Sequence, residues 1–216
     1  MFHKLEKIEG QLMFNLIRKD FLANITFVIV SLILSTIAII VLKFDESDYS
    51  ILELYGCLVL CFTYIVGHSC YVDEKGYSKM WMRSLPIKPT LIIDAKYALM
   101  IISILISFVI YIGVNFIVSS NLSISIMKNI VVIQFILGMH LFYCGIYLFL
   151  FYRFSYSTAQ QSVYFMILVL LLTKMAGSKK YFDITIISLD IISFVVLIFG
   201  LVVLVFSWRF TRKKEE

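Results

Sequence analysis

Cys57, Cys61 and His68 are of types that could hold a metal ion, because thiolate and imidazole are both good ligands. Their spacing argues otherwise. Cys57 and Cys61 can share one face of a helix, but His68 lies so far along the chain that it would sit about 16 Å from Cys57 along the axis. A single helix cannot close a site from them, so they read as packing residues and no metal is expected. Cys70 and Cys144 also lie in apolar runs, where thiols behave as small hydrophobes, and no disulfide framework is suggested. Gln134 and His140 interrupt another apolar run; either hydrogen bonding between helices or a polar path would account for them. Catalytic patterns are missing. The chain has no HExxH, no GxSxG, no paired carboxylates within an apolar run and no GxxxxGK[ST] loop, which argues against an intramembrane enzyme and against ATP hydrolysis in the P-loop manner.

The elements that must carry these residues follow from composition. Of 216 residues, 61% are hydrophobic and 15% charged, outside the range of soluble domains of this size. A membrane-spanning helix needs about 20 apolar residues, and six runs qualify: 21–42, 54–72, 97–119, 129–152, 154–173 and 184–208. Their continuous apolar character points to an all-α membrane protein and excludes a barrel, whose strands would alternate. The chain 1–216 reads as a single transmembrane domain. The first run begins near Phe21, is long enough to span and has no small-residue cleavage site after it, so a removable signal peptide is not expected.

The formal charge of +5 would suggest nucleic acid in a soluble protein, but here the distribution of basic residues is what matters. Lys4, Lys7, Arg18 and Lys19, the basic residues of the central loop, Arg153, and Arg209 with Arg212, Lys213 and Lys214 all fall on one side of the six-span arrangement. The first loop on the other side is acidic, with Asp45, Glu46 and Asp48. Positive residues stay inside, which predicts a cytoplasmic location for both termini and the central loop, with no role for nucleic acid. Lys174, Lys179 and Lys180 run against this pattern. Residues 2–20 space their apolar positions as a helix lying in the headgroup plane would; a frayed tail is the alternative. Ser119, Ser120, Asn121 and Ser123 mark an outer turn, and Gly113, Gly138 and Gly145 are small residues that would let neighbouring helices approach closely.

One interior stretch is not oil. Asp73 to Tyr97 holds both prolines, Pro86 and Pro89, and Lys75, Lys79, Arg83, Lys88 and Lys96. On a helix, Lys75, Lys79 and Arg83 share a narrow arc while Tyr77, Met80, Trp81, Ser84 and Leu85 lie opposite, and Pro86 ends the pattern. A plain interfacial helix between two spans would have the same pattern.

The order Glu74-Lys75-Gly76, then Ser84-Leu85-Pro86-Ile87-Lys88, then Ile92 and Lys96-Tyr97 resembles the cytoplasmic loop of type-2 ABC transporter permeases. Residues 15–22, NLIRKDFL, look like the same family's lead-in to its first span. The resemblance implies six helices, an N-terminal elbow helix at 2–20 and a coupling loop at 73–96 that rests on a separate ATPase dimer. Glu74, Gly76, Tyr77, Met80, Trp81, Arg83, Leu85 and Pro86 would carry the coupling, although Lys75, Lys79 and Arg83 are equally suited to anionic headgroups. ATP and Mg would belong to the partner, and this chain would hold no cofactor. A second permease protomer, alike or different, would complete the path. Small size without an extracellular domain is similar to bacterial exporters of amphipathic or antimicrobial peptides, including phenol-soluble modulins, with Gln134 and His140 as path residues in a bacterial plasma membrane. The alternative is a stand-alone membrane immunity or regulatory protein that binds a peptide without moving it.

Overall fold

The computed structural model describes residues 2–44, 50–75, 87–118, 130–164 and 186–215. Every element among them is helical: α1 (Phe2–Ala23), α2 (Ile25–Phe44), α3 (Ser50–Phe62), a π-helical segment (Thr63–Gly67), α4 (His68–Lys75), α5 (Pro89–Val118), α6 (Ile130–Arg153) and α7 (Ile186–Glu215). A further helical stretch begins at 156 and is described to 164. Four helices among the described residues are long and apolar enough to cross a membrane: Leu54–Lys75, Pro89–Val114, Ile133–Arg153 and Ile191–Lys214. Counting α1 and α2 as one bent span makes five. The expected fifth run, 154–173, extends beyond the described residues, as do the acidic first loop and the outer turn around Ser119.

The chain forms two compact units, Met1–Leu122 with Trp208–Glu216, and Ser123–Ser207. In the first, α3 packs chiefly on α5 and α2, and α1 on α5. Asn24 divides α1 from α2, whose axes differ by 69°. Its side-chain Nδ2 donates to the Asp20 carbonyl at 2.8 Å and its backbone N–H to Phe21 O at 3.3 Å, while its own carbonyl accepts from Val28 N–H and so starts α2. One asparagine thus satisfies the last carbonyls of one helix and opens the next. The sequence pattern places the turn at Phe21; the break comes at Asn24 because the amide side chain supplies these bonds. Pro89 opens α5, a position where a missing N–H costs nothing.

The second apolar run is straight in sequence but not in hydrogen bonding. Cys57, Cys61, Ile65, Ser69 and Asp73 recur at every fourth position, and all are buried. In an ideal α-helix such a series drifts about 40° per step, or about 160° from Cys57 to Asp73. The π-helical segment at Thr63–Gly67 acts as one inserted residue and takes out about 100° of that drift. Both ends of the span therefore face α5. Along this seam Cys57 Sγ donates to the Ser107 carbonyl at 3.4 Å and Cys61 Sγ lies 3.7 Å from Ser35 Oγ. Ser31, Ser103 and Ser107 return their hydroxyls to carbonyls of their own helices, so the small polar groups are satisfied in an apolar setting.

In the second unit, α6 and residues 186–207 of α7 meet backbone to backbone. A Cβ at Gly138 would lie 2.7 Å from Leu197 Cα, one at Gly200 would strike the Gly138 carbonyl, and one at Gly145 would lie 3.2 Å from Leu204 Cα. Ser207 Oγ donates to the Gly145 carbonyl at 2.7 Å and Ser193 Oγ to Gln134 Oε1 at 3.4 Å. Small residues on α7 thus recur every seven positions, at 193, 200 and 207, and meet α6. At Gly113 no close approach occurs among the described residues, since a Cβ there would meet nothing within 4 Å. Ser155 caps the stretch 156–164, accepting from Thr158 N–H at 3.3 Å.

Candidate functional site

Three segments far apart in sequence bring charge together in the first unit: the end of α1, the end of α4 and the start of α5. Lys96, 2% exposed, points its Nζ between two carboxylates, 2.7 Å from Asp20 Oδ2 and 2.6 Å from Asp73 Oδ2, and donates also to Ser69 Oγ. Asp20 and Asp73 are both buried. Lys19, partly exposed, bridges the same pair from outside, 3.1 Å from Asp20 Oδ1 and 3.6 Å from Asp73 Oδ1. A buried ammonium is tolerated only where its donors are all used, and here two carboxylates and a hydroxyl take them.

Helix phase explains why these residues converge. Ser69 and Asp73 are one turn apart on α4 and share a face, and the π-helical segment turns that face toward α5. The Asn24 break leaves Asp20 at the last turn of α1. His68 completes the junction: its Nδ1 lies 2.6 Å from Asn24 Oδ1, and its ring stacks on Phe27 with centroids 3.5 Å apart. Because Asn24 Nδ2 is spent on the Asp20 carbonyl, Oδ1 accepts and His68 Nδ1 carries the proton in this arrangement. The result joins α1, α2, α4 and α5 where α4 ends and α5 begins.

A third carboxylate, Asp94, sits on the other side of the α5 base. Asp94 Oδ1 accepts from Trp208 Nε1 at 2.6 Å, and Arg212 lies 3.8 Å from Asp94 Oδ2 with its guanidinium 5.5 Å over the Trp208 ring.

Of the residues picked out by sequence, Glu74 is exposed in the last turn of α4, one position after the ion-paired Asp73. Lys75 Nζ lies over the Tyr71 ring at 4.9 Å. Gly76, Tyr77, Met80, Trp81, Arg83, Leu85 and Pro86 lie outside the described residues. Gln134 is half-buried and bonded to Ser193; His140 is fully buried with Tyr143 at 6.2 Å between ring centroids. Cys57, Cys61 and His68 each have a separate partner, and no group of three or more metal-ligating side chains occurs among the described residues. Sequence reading missed Asp20, Asp73 and Asp94 as partners, and took Lys96 only as part of a motif. The available signal was charge at the margin of an apolar run, repeated in three runs.

No curated protein and no solved structure matches the chain. A family model described as ABC-2 family transporter protein matches residues 15–214, nearly the whole chain, from the lead-in to the first span through the basic end of α7. Together with several helices apolar enough to span a bilayer, this match assigns the chain: it is a multi-pass membrane protein of the ABC-2 transporter family, a type-2 ABC transporter permease.

Proposed function

We propose that this chain is the permease subunit of an ATP-driven exporter and forms, with a second permease protomer, the translocation path for amphipathic or antimicrobial peptides. The motor is a separate ATPase dimer that binds ATP and Mg. Both termini and the loop 76–86 face the cytoplasm of a bacterial cell, and the loop forms a short coupling helix that rests on the ATPase through Tyr77, Met80 and Trp81. Glu74, Gly76, Arg83, Leu85 and Pro86 set its ends and its charge. Gln134 and His140 belong to the path.

The observation that carries this reading is the buried Lys96 with Asp20 and Asp73. It ties both stems of the loop to the end of α1, so a push on the loop cannot be lost in sliding between apolar helices. The helix phase explains the rest: one rigid junction passes displacement into α2, α3 and α5 at once. Work is supplied from outside the lipid, in keeping with a chain that has no nucleotide-binding loop.

The test is copurification with the ATPase of the same transport system, followed by ATPase assays in nanodiscs with a panel of amphipathic helical peptides. The wild type binds the ATPase and is stimulated by one or more peptides; Trp81→Ala assembles normally and loses the stimulation. Failure to bind an ATPase returns the stand-alone immunity reading. Stimulation unchanged in Trp81→Ala removes the coupling role, and no response to any peptide removes the substrate class.

A further inference from the structure

Asp94 and Lys96 are two positions apart at the start of α5, so their side chains leave the helix about 200° apart. Lys96 holds α1 and α4. Asp94 faces the opposite way and holds the last turns of α7 by two bonds of different kinds: the indole N–H of Trp208 at 2.6 Å and the guanidinium of Arg212 at 3.8 Å. The two partners are one helical turn apart and stack on each other, so they present one surface to the carboxylate. Thr211 and Ser207, on the same stretch of α7, are buried. Trp208 and the basic residues after it fit a headgroup anchor, but an anchor needs only to reach lipid. A Trp whose N–H is spent on a half-buried carboxylate is held in place by protein.

We propose that Asp94 is a positioning residue that ties the last turns of α7, from Trp208 on, to the base of α5, so that these turns follow α5 whenever the segment between α4 and α5 is displaced. The contacts all lie within the first unit, which takes in Trp208–Glu216 of α7. The tie itself depends only on these contacts; its part in transmitting motion rests on the reading given under Proposed function.

Spin labels at Ile101→Cys on α5 and Lys213→Cys on α7, both exposed positions, report the tie by their mutual distance in nanodiscs. The four native cysteines are buried and compete little for label. In the permease without nucleotide, the otherwise unaltered pair gives one narrow distance distribution. Asp94→Leu broadens it at least twofold. Asp94→Glu, and the exchange Asp94→Arg with Arg212→Glu, narrow it again, which a general packing defect would not allow. A distribution as narrow in Asp94→Leu as in the parent overturns the tie.

In the complex with its ATPase, the parent pair keeps its distance between the nucleotide-free and ATP-vanadate states while Asp94→Leu shows two distances. A parent pair that separates on trapping, with the tie intact without nucleotide, overturns the transmitting role alone. A permease that recruits no ATPase overturns that role together with the exporter reading, and leaves the nucleotide-free comparison as it stands.

Discussion

Replacing Lys96 with Met removes one positive charge from a site where two carboxylates point at a single ammonium, 2.7 and 2.6 Å away. The side chain that remains is of similar length and apolar, so packing changes little. Asp20 and Asp73 would then face each other, both buried, and Lys19, 43% exposed at 3.1 and 3.6 Å, would answer them in part. Breaking a buried ion pair by deleting one partner costs about 3–5 kcal/mol, and a half-exposed lysine recovers only a fraction of that because solvent screens it. The expected loss is about 3 kcal/mol, more than a hundredfold in the folding equilibrium, or roughly 6–12 °C in melting temperature at this chain length. The assay is thermal unfolding in nanodiscs, followed by loss of the monodisperse peak on gel filtration. A second variant gives the sign test. Lys96→Met combined with Asp20→Asn and Asp73→Asn removes every charge at the centre of the cluster, and replacing a whole buried ionic group is often neutral. The triple variant should recover at least half of what the single change lost, although it carries more substitutions. If Lys96→Met melts within about 1 kcal/mol of wild type, or if the triple variant is the less stable of the two, the carboxylates are not held by Lys96 and the reasoning fails.

Two further predictions follow from the helix contacts. Gly200→Val puts a branched side chain against the Gly138 backbone, which cannot give way as a side chain can; it should cost about 3 kcal/mol, whereas Gly113→Ala, with open space around it, should be neutral or slightly stabilising. The melting temperatures of the two variants in the same nanodiscs compare them directly. Asn24→Ala removes both the bond to the Asp20 carbonyl and the acceptor for His68, a loss of about 1–2 kcal/mol. A double-mutant cycle with His68→Phe should show coupling of about 1 kcal/mol, and additivity of the two changes would deny the side-chain bond.

Much of the fold was legible because apolar length alone decides where a helix can cross a bilayer. The runs that became α3 with α4, α5, α6 and α7 were found that way, although α5 starts at Pro89, ahead of the apolar run at 97–119. The bend between α1 and α2 was legible to within a few residues, since charge gives way to oil at Phe21; its position at Asn24 depends on where an amide can reach back one turn. The π-helical segment left no such mark. Its sign was a buried stripe at every fourth residue, Cys57 to Asp73, which an ordinary α-helix could not keep on one face; read alone, that stripe suggests only packing. Gly138 and Gly145 were read as points of close helix approach, and both are. Their partners on α7 were not read, because Ser193, Gly200 and Ser207 repeat at seven and a search for small residues four apart passes over them. The charge cluster was least legible. Lys96 and Asp20 are 76 residues apart, and sequence shows only that each lies beside a membrane run, where a charge is expected to face water or headgroups.

Why the junction is ionic follows from what apolar packing cannot do. Between helices in a membrane, hydrocarbon side chains gain little from one neighbour over another, because lipid tails are as apolar as leucine. Such helices can slide or rotate by small steps at low cost. A buried ammonium with two carboxylates and a hydroxyl has one arrangement that satisfies it, and each departure leaves a charge unpaired. Its net contribution to stability is therefore modest while its resistance to relative motion is large. The same holds for the Asp94 contacts with Trp208 and Arg212, weaker because Arg212 is 39% exposed and Asp94 21%. Both are placed at the first turns of α5, where the loop returns to the span. On the function proposed above, a push between α4 and α5 becomes movement of several helices and needs stiffness at that place, and among the described residues the buried charges Asp20, Asp73 and Lys96 lie there.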